Sequence, residues 1–312
     1  MKTYVWTSDF RDNTGEGKLA RLFFYKSKLK KNLKIKIICP ECDYEFSKNQ
    51  LRVIGKKRRV DYNSFFFKYF YPLIGCFFSW VCYFSGNKFI YINYLPLWNF
   101  LLFLLFAPHT RLGPITGSIR YELKNKRILI PFFYRISRII IHLRYKSLIF
   151  ATDNLKKYFK NSNKKIKYNF VLSYLKKKNL KTIKKSTDLV VYYRKHQNKN
   201  NIFLIKIVKW MLNNKVKVNC IGDKIKDNRV KNFGYLNNKN SINLIRRSKI
   251  GINSSENFYS FFMMDCINNS TKVLCDKNSL IYGTSLKNKV LLSDYRNFKQ
   301  TCKLVYNFIK KK

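Results

Sequence analysis

A chain of 312 residues is long enough for two domains of ordinary size, each burying its own core. Apolar content of 46%, with 17% aromatic residues, excludes wholesale disorder even though 64 basic residues stand against 16 acidic ones. The net charge of +48 favours anionic partners: nucleic acid, anionic lipid or phosphorylated small molecules. Lys, Asn, Ile, Phe and Tyr are inflated together, as A+T-rich coding sequence produces, so the placement of charge is more informative than its amount. The 8 cysteines show no framework spacing. Cys39 and Cys42 form a C-P-E-C with no second Cys or His pair at zinc-site distance, which reads first as a reduced pair after a strand in a reducing cytoplasm; Cys42 as a ligand or a redox thiol is the competing reading.

In chain order, MKTYVWTSDF has no signal-peptide core, and Thr3–Ser8 reads as a first strand. Gly15-Glu16-Gly17 is expected as a tight turn before a helix starting near Lys18, where backbone N–H groups and the helix dipole favour an anion. Leu33–Cys39 would complete a βαβ unit. Residues 47–59 are mostly polar and end in Lys56-Lys57-Arg58-Arg59; an aromatic helix follows, roughly Ser64–Phe84. A basic cluster before such a helix suits a membrane interface, with cations on lipid phosphate and aromatics at headgroup level. A packed core helix with a solvated face is the competing reading. Leu95–Ala107 is too short to span a bilayer, which needs about 20 helical residues.

Lys88–Asn93 reads as a strand, a helix is expected to begin at Pro96, and Leu112–Thr116 reads as a further strand. Residues 131–146 place Arg135, Arg138 and Arg144 on an apolar helix, a basic amphipathic pattern. Ser147–Thr152 and Tyr168–Leu172 are expected as the last strands of the first domain, with Asp153-Asn154 capping a short helix between them. The lysine-rich stretch from Lys176 to Lys185 has no apolar period and reads as a linker.

From Asp188 onward, short apolar runs alternate with helix-length segments. Strands are expected at Leu189–Tyr193, Val216–Ile221, Val230–Phe233, Ile250–Asn253 and Lys272–Cys275; helices at Ile202–Leu212, Ser241–Arg247 and Phe258–Asn268. Such alternation implies right-handed βαβ units on a buried parallel sheet, whose ligands sit at the carboxyl ends of the strands. Arg194, His196 and Lys199 follow the first of these strands, Asp223 the second, and Ser254, Ser255 and Glu256 the fourth. A helix is expected over 294–312.

Arg194 with Lys199 five residues on, Gly222-Asp223 after the next strand, and Ser255-Glu256 opening an aromatic helix resemble the donor half of GT-B retaining glycosyltransferases (group 1, family 4-like). Tyr193, Asn257 and Tyr259 stand where that family has glycines, and Asp265 lies nine residues past Glu256 where the family has a glutamate eight past. The resemblance implies an α/β chain of GT-B type, with two Rossmann-like βαβ domains facing a central cleft. Residues 1–175 would form the acceptor-side domain with the aromatic membrane-facing helices, 176–187 the linker, 188–295 the nucleotide-sugar domain, and 296–312 a final helix crossing back to the first domain.

The implied activity is transfer of a sugar from a nucleotide sugar to a lipid-linked or cell-surface glycan, retaining and without metal or further cofactor. Arg194 and Lys199 would neutralise the leaving diphosphate and Glu256 would contact sugar or ribose hydroxyls, these three being the catalytic set. Glu256 can alternatively cap its helix. Gly15, Glu16, Gly17, Thr116, Gly117, Gly222, Asp223, Ser255, Asn257, Phe258, Tyr259, Ser260 and Asp265 would line the substrates, with the first glycine loop facing donor phosphates and acceptor. The family often carries a histidine where this chain has Thr116-Gly117; His109 lies just upstream and reads first as a surface residue. The expected place is the cytoplasmic face of the cell membrane, on anionic lipid. A basic nucleic-acid-binding protein and a catalytically inactive relative of the same fold are the alternatives, although no helix-turn-helix, RNA-recognition or zinc module is present.

Overall fold

The computed structural model describes residues 1–27, 34–47, 50–62, 64–93, 95–116, 129–152, 155–160, 163–175, 183–195, 201–253, 260–277 and 284–311. It divides into two compact units, Met1–Ser118 with Leu123–Phe170, and Val171–Lys312.

The first unit contains β1 (Thr3–Thr7), α1 (Gly15–Lys26), β2 (Ile35–Ile38), β3 (Asp43–Ser47), β4 (Gln50–Ile54), α2 (Phe65–Phe84), β5 (Lys88–Ile92), α3 (Phe100–Leu105), β6 (Arg111–Leu112), α4 (Leu129–Arg144), β7 (Ser147–Ile149) and β8 (Lys165–Lys167). Its sheet runs in the order β4-β3-β2-β1-β5-β6. β1 pairs in parallel with both β2 and β5, while β3 and β4 form an antiparallel hairpin at one edge. One face of β1 puts Trp6 against α2, stacked on Tyr71 at 4.8 Å. Small residues permit that packing: a Cβ at Gly75 would lie 2.7 Å from the Trp6 and Tyr91 rings.

The second unit contains β9 (Thr187–Tyr193), α5 (Asn201–Asn213), β10 (Val218–Gly222), β11 (Lys231–Asn232), α6 (Asn238–Arg246), β12 (Ser248–Asn253), α7 (Phe261–Asn268), β13 (Lys272–Asp276), β14 (Val290–Ser293) and α8 (Phe298–Lys310). All its strand pairs are parallel, in the order β11-β10-β9-β12-β13-β14. Numbered within the unit this is the doubly wound order 3-2-1-4-5-6, whose reversal point lies between β9 and β12. Leu189, Val190 and Val191 are fully buried because helices cover both faces. On one face Leu189 and Val191 pack with Leu204, Ile207, Val305 and Ile309. On the other, Tyr192 stacks on Phe262 at 5.6 Å, and Gly251 admits Cys266, whose Sγ would be 2.5 Å from an added Cβ.

Several expected elements differ. Gly15-Glu16-Gly17 is not a turn before the helix but its first turn, because Thr14 is the N-cap and its Oγ1 accepts from Gly17 N–H at 3.1 Å. The helix expected from Pro96 starts at Phe100; Pro96 instead forms an isolated bridge with Thr116, with Leu97 N–H donating to the Thr116 carbonyl at 3.0 Å. The strand expected over Leu112–Thr116 is ladder only at Arg111–Leu112, followed by single bridges at Ile115 and Thr116. Tyr168–Leu172 is not a strand: Phe170–Tyr174 forms 3-10 turns, and the partner of β7 is Lys165–Lys167. The β3–β4 hairpin and β14 were not foreseen. The final helix packs on α5, β12 and β14 of its own unit, because Cys302, Val305 and Ile309 complete that unit's core. Asp153-Asn154 and most of the expected linker lie outside the described residues.

Candidate functional site

In the second unit, Gly222 is in register with Tyr193, and Asn253 with Tyr192. The carboxyl ends of β10, β9 and β12 therefore lie side by side, and the loops leaving them start together. Arg194 is exposed at the first of these exits. The Asp223 carboxylate, at the next, accepts from the Lys195 backbone N–H at 2.6 Å and from the Tyr235 hydroxyl at 2.9 Å. Its own N–H donates to the Tyr193 carbonyl at 2.9 Å. Asp223 thus fastens the start of the β9 loop to the β10 loop and to the turn carrying Tyr235.

Gly222 makes this approach possible. Its φ is +100°, and a Cβ would lie 2.2 Å from the Tyr193 carbonyl oxygen. Its N–H donates to the Gly234 carbonyl at 2.9 Å. Burial raises the Tyr192 hydroxyl above its ordinary value; the nearby Arg194 charge works against that rise and the Asp223 charge adds to it. Partial burial of the Tyr235 hydroxyl, with Asp223 accepting from it, pushes that group up to about 12. Arg194, Asp223, Tyr192 and Tyr235 accordingly share one electrostatic neighbourhood at the sheet's carboxyl edge, where a cation and aromatic faces suit a phosphorylated aromatic ligand.

Beyond β12, Ser260 caps α7: its Oγ accepts from Met263 N–H at 3.3 Å and from Asn253 Nδ2 at 3.1 Å. Ser260 is thus the N-cap of α7, while Glu256, also considered as a cap, lies outside the described residues. Asp265, the fifth residue of this helix, is 3% exposed and accepts from the Tyr174 hydroxyl at 2.7 Å. Lys199, Ser255, Glu256, Asn257, Phe258 and Tyr259 lie outside the described residues, as does Gly117. A separate depression of about 490 Å³ in the β10–β11 connection is lined by Lys224, Lys226, Asp227, Asn228, Val230 and Asn232, and includes neither Arg194 nor Asp223.

In the first unit, the loop after β1 is built on Asp9, which is buried. Its carboxylate accepts from Arg11 N–H, Nε and Nη2 at 2.9, 3.0 and 2.9 Å, and from Thr14 Oγ1 at 2.7 Å. The Arg11 guanidinium also lies 3.9 Å from the centre of the Tyr62 ring. Asn93, at the end of β5 with φ +56°, donates from Nδ2 to the Asp9 and Glu16 carbonyls at 3.3 and 2.7 Å. Gly15 and Glu16 are exposed at the head of α1, whereas Gly17 is buried and would place a Cβ 2.0 Å from the Arg11 carbonyl oxygen. Thr116 is half-buried and held by the backbone pairing to Leu95 and Leu97. His109 is exposed. Cys39 and Cys42 are buried free thiols, and among the described residues no three His, Cys, Asp or Glu side chains are grouped to hold a metal.

Tyr235 and Asn253 were missed in the sequence; their roles depend on loops that only the sheet register brings together. The NFGYL stretch did place an aromatic after β11, which was the available signal for Tyr235.

No family model and no curated protein matches this sequence. Among solved structures the chain is similar to UDP-GlcNAc 2-epimerase from Methanocaldococcus jannaschii, in complex with UDP-GlcNAc and UDP, at 12% identity and TM-score 0.55 over 100% of this chain and 94% of the other. Anabaena HepE in complex with UDP-glucose is similar at 10% identity and TM-score 0.55, covering 99% and 90%. A glycosyltransferase from Rickettsia africae is similar at 12% identity and TM-score 0.55, covering 99% and 89%. These likenesses establish the fold, which is α/β of GT-B type with two Rossmann-like domains.

Proposed function

We propose that this protein is a glycosyltransferase that moves a sugar from a nucleotide sugar to a lipid-linked or cell-surface glycan acceptor. The observation that carries the reading is the common exit of the β9 and β12 loops at the strand-order reversal of the second unit. The first loop begins with Arg194 and contains Lys199 in sequence; the second contains Ser255 and Glu256. Both loops leave the edge where such sheets bind nucleotides. That the epimerase and HepE are described with UDP-GlcNAc, UDP and UDP-glucose makes uridine diphosphate sugars the first donors to try.

In the proposed reaction the bond between the anomeric carbon and the β-phosphate oxygen breaks, and its electron pair moves onto the diphosphate. The acceptor hydroxyl oxygen bonds to the anomeric carbon, and its proton passes to the departing diphosphate. Arg194 and Lys199 stabilise the growing diphosphate charge without metal, and the Glu256 carboxylate accepts from sugar or ribose hydroxyls. The retaining, family 4-like course and the place at the cytoplasmic membrane face belong to the same proposal.

The test is a thermal-shift screen of nucleotide sugars followed by transfer assays on variants. Arg194→Ala and Lys199→Ala are each expected to lower turnover roughly a hundredfold, about 3 kcal/mol, and to weaken donor binding less. Glu256→Gln is expected to lower activity at an unchanged melting temperature. Donor-dependent stabilisation without transfer would identify an inactive relative, and nucleic-acid binding without any donor shift would replace the reading altogether.

A further inference from the structure

The first unit presents one apolar surface spread over three consecutive helices. α3 lies between α2 and α4. Its outward residues Leu101, Leu104 and Leu105 are 48, 50 and 40% exposed, and Trp98 precedes them at 39%. On α4, Phe132, Ile139 and Leu143 follow helical spacing on the solvent side, Leu143 being 81% exposed. On α2 the outward stripe is Phe66, Phe70, Leu73, Phe77 and Phe84. Large apolar side chains exposed on three adjoining helices are the kind of surface that an apolar partner covers.

The polar groups at this surface suit one kind of partner. The carbonyls of Phe103, Leu104, Leu105 and Phe106, at and just past the end of α3, each receive a side-chain donor from a flanking helix or its extension, while that of Leu102 accepts from Phe106 N–H. The Arg144 guanidinium donates to the carbonyls of Phe103, Leu104 and Phe106. The Tyr145 hydroxyl donates to Phe103 at 3.3 Å, and Trp80 Nε1 to Leu105 at 2.8 Å. Ser79 Oγ accepts from Ala107 N–H at 3.0 Å. Facing water, helix-end carbonyls need no protein donors, because solvent serves them. In hydrocarbon they have no other source, and an unpaired carbonyl there is prohibitive.

Charge agrees with the same partner. Residues 62–121 contain no Asp or Glu, and neither does α4. Lys56, Lys57 and Arg59 are exposed just before α2, and Arg135 and Lys146 are exposed on and just after α4. Arg58 belongs less to this set, since its guanidinium donates to the carbonyls of Cys39 and Pro40 and to Asp43.

We propose that α3, with the outward faces of α2 and α4, inserts in the plane of an anionic bilayer to the level of the acyl chains, without spanning it. By length and composition α2 is long and apolar enough to cross a membrane. Yet its Gly75, Cys76, Ser79 and Cys82 face is buried, and crossing the membrane would strip that face from the sheet. The inference rests on the membrane placement proposed above and takes it from the headgroup level to burial in hydrocarbon.

The test is binding of the full chain to phosphatidylcholine vesicles with and without phosphatidylglycerol, at low and high salt, by flotation. Quenching of tryptophan by lipids brominated along the acyl chain reports depth. Residual binding at high salt is expected, with quenching that falls in Trp98→Phe. Leu101→Ser/Leu104→Ser/Leu143→Ser is expected to lower the partition coefficient tenfold or more at an unchanged melting temperature, given ~0.8 kcal/mol per buried methylene, where 1.4 kcal/mol is a factor of ten. Lys56→Ala/Lys57→Ala/Arg59→Ala should remove only the part that depends on phosphatidylglycerol.

Unchanged flotation of the serine variant, or no acyl-chain quenching, overturns the proposal. So does a lipid-free dimer that the serine substitutions dissociate, without vesicle binding by the parent. The assay uses neither donor nor acceptor. Donor binding without vesicle binding therefore refutes insertion alone, and the converse refutes sugar transfer alone.

Discussion

Replacing Gly222 by Ala tests how the carboxyl edge of the second sheet is assembled. The residue has φ +100°, a region where a side chain costs about 1–3 kcal/mol. Its Cβ would lie 2.2 Å from the Tyr193 carbonyl oxygen, which belongs to backbone and has no rotamer by which to withdraw. Relief requires β9 and β10 to separate at their ends, losing or stretching the Asp223 N–H to Tyr193 bond, worth about 1 kcal/mol. The sum is roughly 3 kcal/mol, or about 6–12 °C in melting temperature for a domain of this size. Gly234→Ala is the matched control: φ is +68°, nothing lies within 4 Å of its added Cβ, and it should cost only about 1–2 kcal/mol. Urea titration combined with hydrogen-exchange mass spectrometry of peptides from β9 and β10 measures both the loss and its location. Equal losses for the two variants, or unchanged exchange at Tyr193 and Asp223 in Gly222→Ala, would refute the close-approach argument.

At the head of α1, Gly15→Ala should be neutral or stabilising by up to about 1 kcal/mol, since the site is open and helical. Gly17→Ala, with 2.0 Å to the Arg11 carbonyl, should destabilise strongly in the same chemical melt. Tyr174→Phe takes from the buried Asp265 carboxylate one of its donors and should cost about 1–3 kcal/mol, with donor affinity unchanged in calorimetry. Tyr235 should ionise near 12 in ultraviolet difference titration against Tyr235→Phe, and closer to its ordinary 10.0 in Asp223→Asn. The fold favours its protonated form, so its contribution to stability is complete below pH 10 and is lost as pH rises past about 12.

The second unit was largely legible because its strands are short apolar runs, such as Leu189–Val191, separated by helices of clear period. The β3–β4 hairpin was not, since DYEFS and QLRVI are polar and half-exposed, and only pairing at the sheet edge makes them strands. The start of α3 was misplaced because Leu95 and Leu97, apolar enough for a helix, are drawn into backbone pairing with Thr116. Arg194 could be placed from the sequence, as a residue at a strand's end. So could Asp223, at the end of the next strand; that it meets Tyr235 and the start of the β9 loop depends on the sideways register of strands, which no local pattern encodes. Capping was readable but overlooked: Thr14 precedes the first turn of α1 and Ser260 that of α7.

The packing of α8 bears on how the second unit comes to exist during synthesis. β9 is the first strand made and becomes a central one, yet Leu189 and Val191 share their cluster with Val305 and Ile309. More than a hundred residues must follow β9 before its last covering helix is available, so the unit has high contact order and is expected to fold slowly. While the ribosome is still adding those residues, a run of Leu, Val and Val waits without its final cover. The nascent chain is then exposed to aggregation, and to chaperone capture, until Ile309 has left the exit tunnel.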